Sequence, residues 1–167
     1  MGTQNNELLK KAAIFIAVFT SDDDQQKAAG DAIERDNPYN QFIDAIISLE
    51  SASEFFGEKL LPSHKLLTGM EGKSSPAAGY VKNYGSRFGI ITTLTLPESS
   101  IGFKEENIGI LVAVAAKLMK IPVVVCNSVV NSWGNTLAKK LAIPLVEGDD
   151  WDRVVKLLRT EMKSQKH

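Results

Sequence analysis

Short apolar runs alternate with stretches of helical spacing along most of this chain. Residues 12–20, AAIFIAVFT, are rich in β-branched and aromatic side chains and run into SDDD, so they read as a buried strand leaving into a turn. Residues 21–38 then offer cap residues, first-turn acids, a face of Ala28, Ala29, Ala32 and Ile33, and Pro38 as a stop, the marks of a helix. From Tyr39 to Leu61, Phe42, Ile46, Leu49, Phe56 and Leu60 recur near helical spacing, which predicts one long helix or two shorter ones ended by Pro62. Residues 63–87, with much Gly, Ser, Pro and Lys, read as a long loop with room for one helical turn. FGIITTLTL, residues 88–96, is the second clear strand. After the turn PESSIGFK come a nearly all-apolar helix from about Glu105 to Met119, the strand IPVVVCN and a turn with Trp133. The helix NTLAKKLA, the strand IPLVE and a last helix capped by Asp149 or Asp150 complete the pattern, with Trp151, Val154, Val155, Leu158 and Met162 as the last helix's buried stripe.

Apolar strands alternating with helices imply an α/β fold: a mainly parallel, doubly wound sheet with helices on both faces, of the flavodoxin or Rossmann kind. A length of 167 residues with 44% hydrophobic side chains suits a single domain over residues 1–167, with 163–167 as a flexible tail. A net charge of -1 without clustered Lys and Arg argues against a nucleic-acid surface. No apolar run approaches the roughly 20 residues that span a bilayer, and the start MGTQNNELLKK lacks the apolar core of a secretory leader. A cytoplasmic protein without a membrane partner is therefore expected. Cys126, the single cysteine, sits in VVVCN and is expected to be a reduced, inert strand residue.

Ligands of open parallel sheets gather beyond the carboxyl ends of the strands, where FTSDDD, LPESSIGFKEE and CNSVVNSWGN fall. The usual phosphate devices are missing, since there is no G-x-G-x-x-G and GKSS at Gly72 lacks the earlier glycine of a P-loop. With His64 and His167 as the only histidines and one cysteine, no metal-ligand spacing occurs, and neither a metal nor another cofactor is expected. Between Asp44 and Asp149 the chain has no aspartate, which leaves Glu98, Glu105 and Glu106 as the acids of the middle strand ends. A carboxylate at a helix start is held in its ionised form by the macrodipole and the free N–H groups, and such a group can attack an anomeric carbon.

Three segments carry a likeness. AIFIAVFTSDDDQQKAAGDAIERDNP, TLPESSIGFKEENIG and NSWG, in this order, resemble the first strand and helix, the approach to the nucleophile, and the Ser-Trp-Gly turn of the nucleoside 2-deoxyribosyltransferases. The likeness covers about half the chain. It implies a glutamyl-sugar intermediate on Glu106, a nucleoside or nucleotide as ligand, and a homo-oligomer. Candidate substrate-binding positions are Phe15, Asp22, Glu98, Ser100, Asn127, Asn131 and Trp133. Ser100 stands where the family has an aspartate, and the glycines of the family's first strand are absent from FIAVF. Hydrolysis of an N-glycoside, or binding without catalysis, stay open beside transfer. Capping of the next helix is the simpler role for Asp22, packing on the sheet for Trp133, and an ordinary turn role for Asn127 and Asn131.

Overall fold

A computed structural model of the chain describes residues 2–57, 75–94, 103–127 and 133–164. The elements are α1 (Gly2–Lys11), β1 (Phe15–Thr20), α2 (Asp23–Asp36), β2 (Gln41–Ile46), α3 (Leu49–Phe56), α4 (Pro76–Tyr84), β3 (Phe88–Thr93), α5 (Phe103–Leu118), β4 (Val123–Asn127), α6 (Trp133–Lys140), β5 (Leu145–Glu147) and α7 (Trp151–Ser164). The five strands form one all-parallel sheet in the order β2-β1-β3-β4-β5. This is the flavodoxin-like order, with helices on both faces as the alternation requires.

Strand alternation sorts the core into two layers. Ile16, Val18, Ile91, Val124 and Cys126 point to one face, where α2 supplies Ala29, Ala32 and Ile33 and α7 supplies Val154, Val155, Leu158 and Met162. Phe15, Ala17, Phe19, Ile90, Val123 and Val125 point to the other, beneath α3, α4, α5 and α6. β1, β3 and β4 are buried along their whole length. Both faces being covered is why they stand out as continuous apolar runs.

Two expectations need correction. Residues 41–46, read as part of a helix, form the edge strand β2. Phe42 and Ile46 are spaced as on a helix, but they lie on the outer side of a period-two alternation in which Ile43 and Ala45 pack inward. Phe42 lies over Gly30 of α2, close enough that a Cβ there would be 2.8 Å from its ring. The second half of the predicted helix survives as α3, with Phe56 fully buried.

Within the supposed loop 63–87, residues Pro76–Tyr84 are helical, while 58–74 lie outside the described residues. Ser75 caps this helix by accepting a hydrogen bond from the Ala78 N–H at 3.2 Å, and Pro76 occupies the first helical position. Tyr80 and Tyr84, one turn apart, stack on Phe15 with ring centroids 4.9 and 4.7 Å away. Aromatic burial thus holds a helix that a Gly-, Ser- and Lys-rich composition conceals.

α5 and α6 end in the same way. Lys120 and Ala142 adopt left-handed φ values of 60° and 57°, and the following Ile121 and Ile143 N–H groups bond back to the Ala116 and Ala138 carbonyls. In each case an Ile-Pro pair then leads into the next strand, and the Pro122 and Pro144 carbonyls accept from Ile90 and Val125 of the neighbouring strands. The paired devices start β4 and β5 directly beneath their helices.

The nearly all-apolar α5 is covered by β3, β4, α3 and α6. Leu111 remains 37% exposed and Leu118 71% exposed. No helix among the described residues is long and apolar enough to cross a membrane.

Candidate active site at the strand ends

The strand order reverses direction at β1 and β3, which are neighbours in the sheet but lead away to opposite sides. In open parallel sheets the switch point beyond such carboxyl ends is where a ligand crevice forms. There the Ser21 and Thr93 hydroxyls meet at 3.1 Å, and the Thr93 Oγ1 also donates to the Phe19 carbonyl at 3.4 Å. The Thr20 hydroxyl beside them is fully buried and has no hydrogen-bond partner among the described residues. Such a group costs about 1–3 kcal/mol when left unpaired.

Asp22 has the capping role. Its Oδ1 accepts from the Gln25 N–H at 2.8 Å, while the Gln25 side chain reaches back to accept from the Ser21 N–H at 2.9 Å. This reciprocal pair resembles a capping box and fixes the turn that leaves β1.

α5 approaches the crevice by its N-terminus. Its first turn begins at Phe103, so Glu106 is the fourth helical residue; the side chains of 103–107 lie outside the described residues. One turn further on, Gly109 is buried against the end of β3. A Cβ at Gly109 would come within 2.7 Å of the Leu94 Cα and closer still to the Thr93 carbonyl oxygen. The missing side chain lets the helix backbone touch the strand end one turn after Glu106.

At the end of β4, Asn127 is buried and its Nδ2 donates to the Asn135 Oδ1 of α6 at 2.8 Å. The Gly148 N–H donates to the Asn127 carbonyl at 2.8 Å. Asn127 is thus built into the junction of β4, α6 and the exit of β5. Trp133, expected in a turn against the sheet, is instead the first residue of α6 and 50% exposed. Phe15 is also misplaced relative to a strand-end site: it opens β1, and five steps of about 3.3 Å put it some 16 Å from Thr20. Its ring belongs to the Tyr80–Tyr84 stack. Glu98, Ser100 and Asn131 lie outside the described residues.

On the α3–α4 side of β1 and β2, a recess of about 210 Å³ has Ala17, Phe19, Ala45 and Phe55 in its lining, with Ser51 and Glu54 as its polar side chains. It flanks the carboxyl half of β1. Ser21, Thr93, Thr20 and Gly109 were not singled out by motif. The signal for the hydroxyls was a run of Thr and Ser where each apolar strand stops, and for Gly109 a lone glycine at the start of an apolar helix.

Cys126 fulfils its expected role. It is 2% exposed, and burial, followed by the negative charges of Asp149 and Asp150, pushes its thiol from the ordinary 9.0 up to about 12. A thiol held neutral is a poor nucleophile. The native protein should resist a thiol-labelling reagent at pH 8 and react at once in denaturant. The linked stability has a definite sign: unfolded chains release this proton near pH 9, folded ones only near 12. The contribution is intact below pH 9 and lost as pH rises towards 12. Urea midpoints at pH 8 and pH 10 should show this loss in the wild type and less of it in Cys126→Ala.

No protein-family model matches the chain, and no curated protein matches it. Among solved structures it is similar to a response regulator receiver domain from Rhodospirillum rubrum, at 12% identity and a TM-score of 0.50, with 92% of this chain and 95% of that chain covered. At that identity the likeness is one of fold.

Proposed function

We propose that the protein binds a nucleoside or nucleotide at the β1–β3 crevice and acts on its N-glycosidic bond, transferring the sugar through a glutamyl intermediate on Glu106. The observation that supports this reading is the close seating of α5 at Gly109, one turn beyond Glu106, against the end of β3. A carboxylate in the first turn of a helix is favoured in its ionised form by the helix dipole, the state a nucleophile needs. Ser21 and Thr93 offer hydroxyls for a sugar, and the recess with Phe19 and Phe55 in its lining suits a flat base. The chain resembles the nucleoside 2-deoxyribosyltransferases in the segments that contain Glu106 and the Ser-Trp-Gly turn.

Incubation with a 2'-deoxynucleoside and a different free base should yield the exchanged nucleoside, with the parallel-line kinetics of a ping-pong reaction. Release of free base without exchange would replace transfer by hydrolysis. Binding without either would leave a nucleoside-binding module, and absence of binding to any nucleoside or nucleotide would end the proposal. The same resemblance implies a homo-oligomer, for which the exposed Leu111 and Leu118 of α5 offer apolar contact. Light scattering at micromolar concentration should give at least a dimer mass; a monomer counts against that part.

A further inference from the structure

The opposite end of the sheet carries a second, basic recess of about 230 Å³. Lys11, Arg87, Arg159 and Lys163 line it together with the apolar Ile14 and Met162, and no acidic side chain among the described residues does. Three elements converge here: the end of α1, the turn Gly85–Arg87 before β3, and the last turn of α7.

The four cations are not equivalent. Arg159 is committed, because its Nε and Nη2 hold the Asp36 carboxylate at 2.7 Å and its Nη1 donates to the Ala12 carbonyl at 2.9 Å. Lys11, Arg87 and Lys163 are exposed and make no ion pair among the described residues. With Arg159 and Asp36 cancelling, three positive charges face the recess. The carboxyl ends of α1 and α7 oppose them with about half a negative charge each. The balance is roughly +2, which complements a dianion.

We propose that this recess binds a small phosphate-type dianion, either free phosphate or the phosphate group of a phosphomonoester. Arg87 supplies the planar fork suited to phosphate oxygens, and Lys11 and Lys163 supply point charges. The site lies some 16 Å from the Ser21–Thr93 crevice, across the length of β1, and does not depend on the function proposed there.

The test is an amide-shift NMR titration of the full chain at pH 8 and fixed ionic strength, with inorganic phosphate in one arm, glycerol 3-phosphate in a second and chloride as the control. Saturable shifts at residues 11–14, 86–87 and 159–163 are expected with one or both phosphates, and the tighter arm identifies the source. Arg87→Gln should weaken binding about tenfold or more, and Lys11→Gln with Lys163→Gln similarly. These side chains are exposed and make no hydrogen bond or ion pair among the described residues, so the variants should fold; Arg159 is left intact because it ties α7 to α2. Shifts no larger than those from chloride, or affinities unchanged in Arg87→Gln, would overturn the proposal. Tighter binding of a short oligonucleotide or an acidic peptide than of either phosphate would also overturn it.

Discussion

Glu106→Ala should abolish base exchange, by about 10³-fold or more, while Glu105→Ala keeps most of it. Both acids stand in the first turn of α5, the positive end of its dipole. Adjacent helical residues point about 100° apart, so only one of them can face a common cleft. The Gly-x-x-x-Glu register that runs from Gly102 selects Glu106. Glu106→Gln separates chemistry from folding: it keeps the shape and loses the nucleophilic charge, so it should still bind a nucleoside while exchanging nothing. If Glu105→Ala is the inactive variant, the register is wrong by one residue and the likeness to the transferases is withdrawn with it.

Elements covered on both faces were legible in the sequence. β1, β3 and β4 are continuous apolar runs because helices lie above and below them, and α2 and α7 show one-sided stripes. β2, α4 and α1 were not. β2 exposes Phe42 and Ile46 at a spacing of four, which imitates a helix. α4 owes its place to Tyr80 and Tyr84 stacking on Phe15, a contact made only once β1 and β3 are side by side. α1 was not anticipated either: ten residues with Leu8 65% exposed give no buried stripe to detect.

The strand-end region follows the same logic. That the segments after the apolar strands gather at one end of the sheet could be read from their alternation with helices. The pairing of Ser21 with Thr93 could not, because 72 residues separate them and only the strand order unites them. Phe15 illustrates the converse error, since strand alternation says which face a residue occupies but not which end of the sheet matters for it. Gly109 was invisible for a related reason: a lone glycine in an apolar helix reveals nothing about the backbone it touches.

Gly109→Ala should cost about 1–3 kcal/mol of stability, or more, and lower the melting temperature by several degrees. The added methyl would meet the Thr93 carbonyl and the Leu94 Cα, both main chain, so α5 must lift from the sheet to admit it. Two other glycines calibrate the expectation. At Gly89 the methyl would meet the Met162 Cε at 2.6 Å and the Leu158 Cδ1 at 2.9 Å, the far ends of side chains that can rotate, and the loss should be smaller. At Gly79 in α4 nothing lies within 4 Å, so Gly79→Ala should raise stability by about 0.5–1 kcal/mol through helix propensity alone. Lifting α5 also moves the turn that holds Glu106, and a displacement of 1 Å in a reacting group can cost about 10²-fold in rate. Gly109→Ala should therefore lose exchange activity even at temperatures where it stays folded, whereas Gly89→Ala should not. A Gly109→Ala protein with wild-type melting temperature would show that α5 does not rest on the strand end as described, and would remove the geometric basis for assigning Glu106 to the crevice.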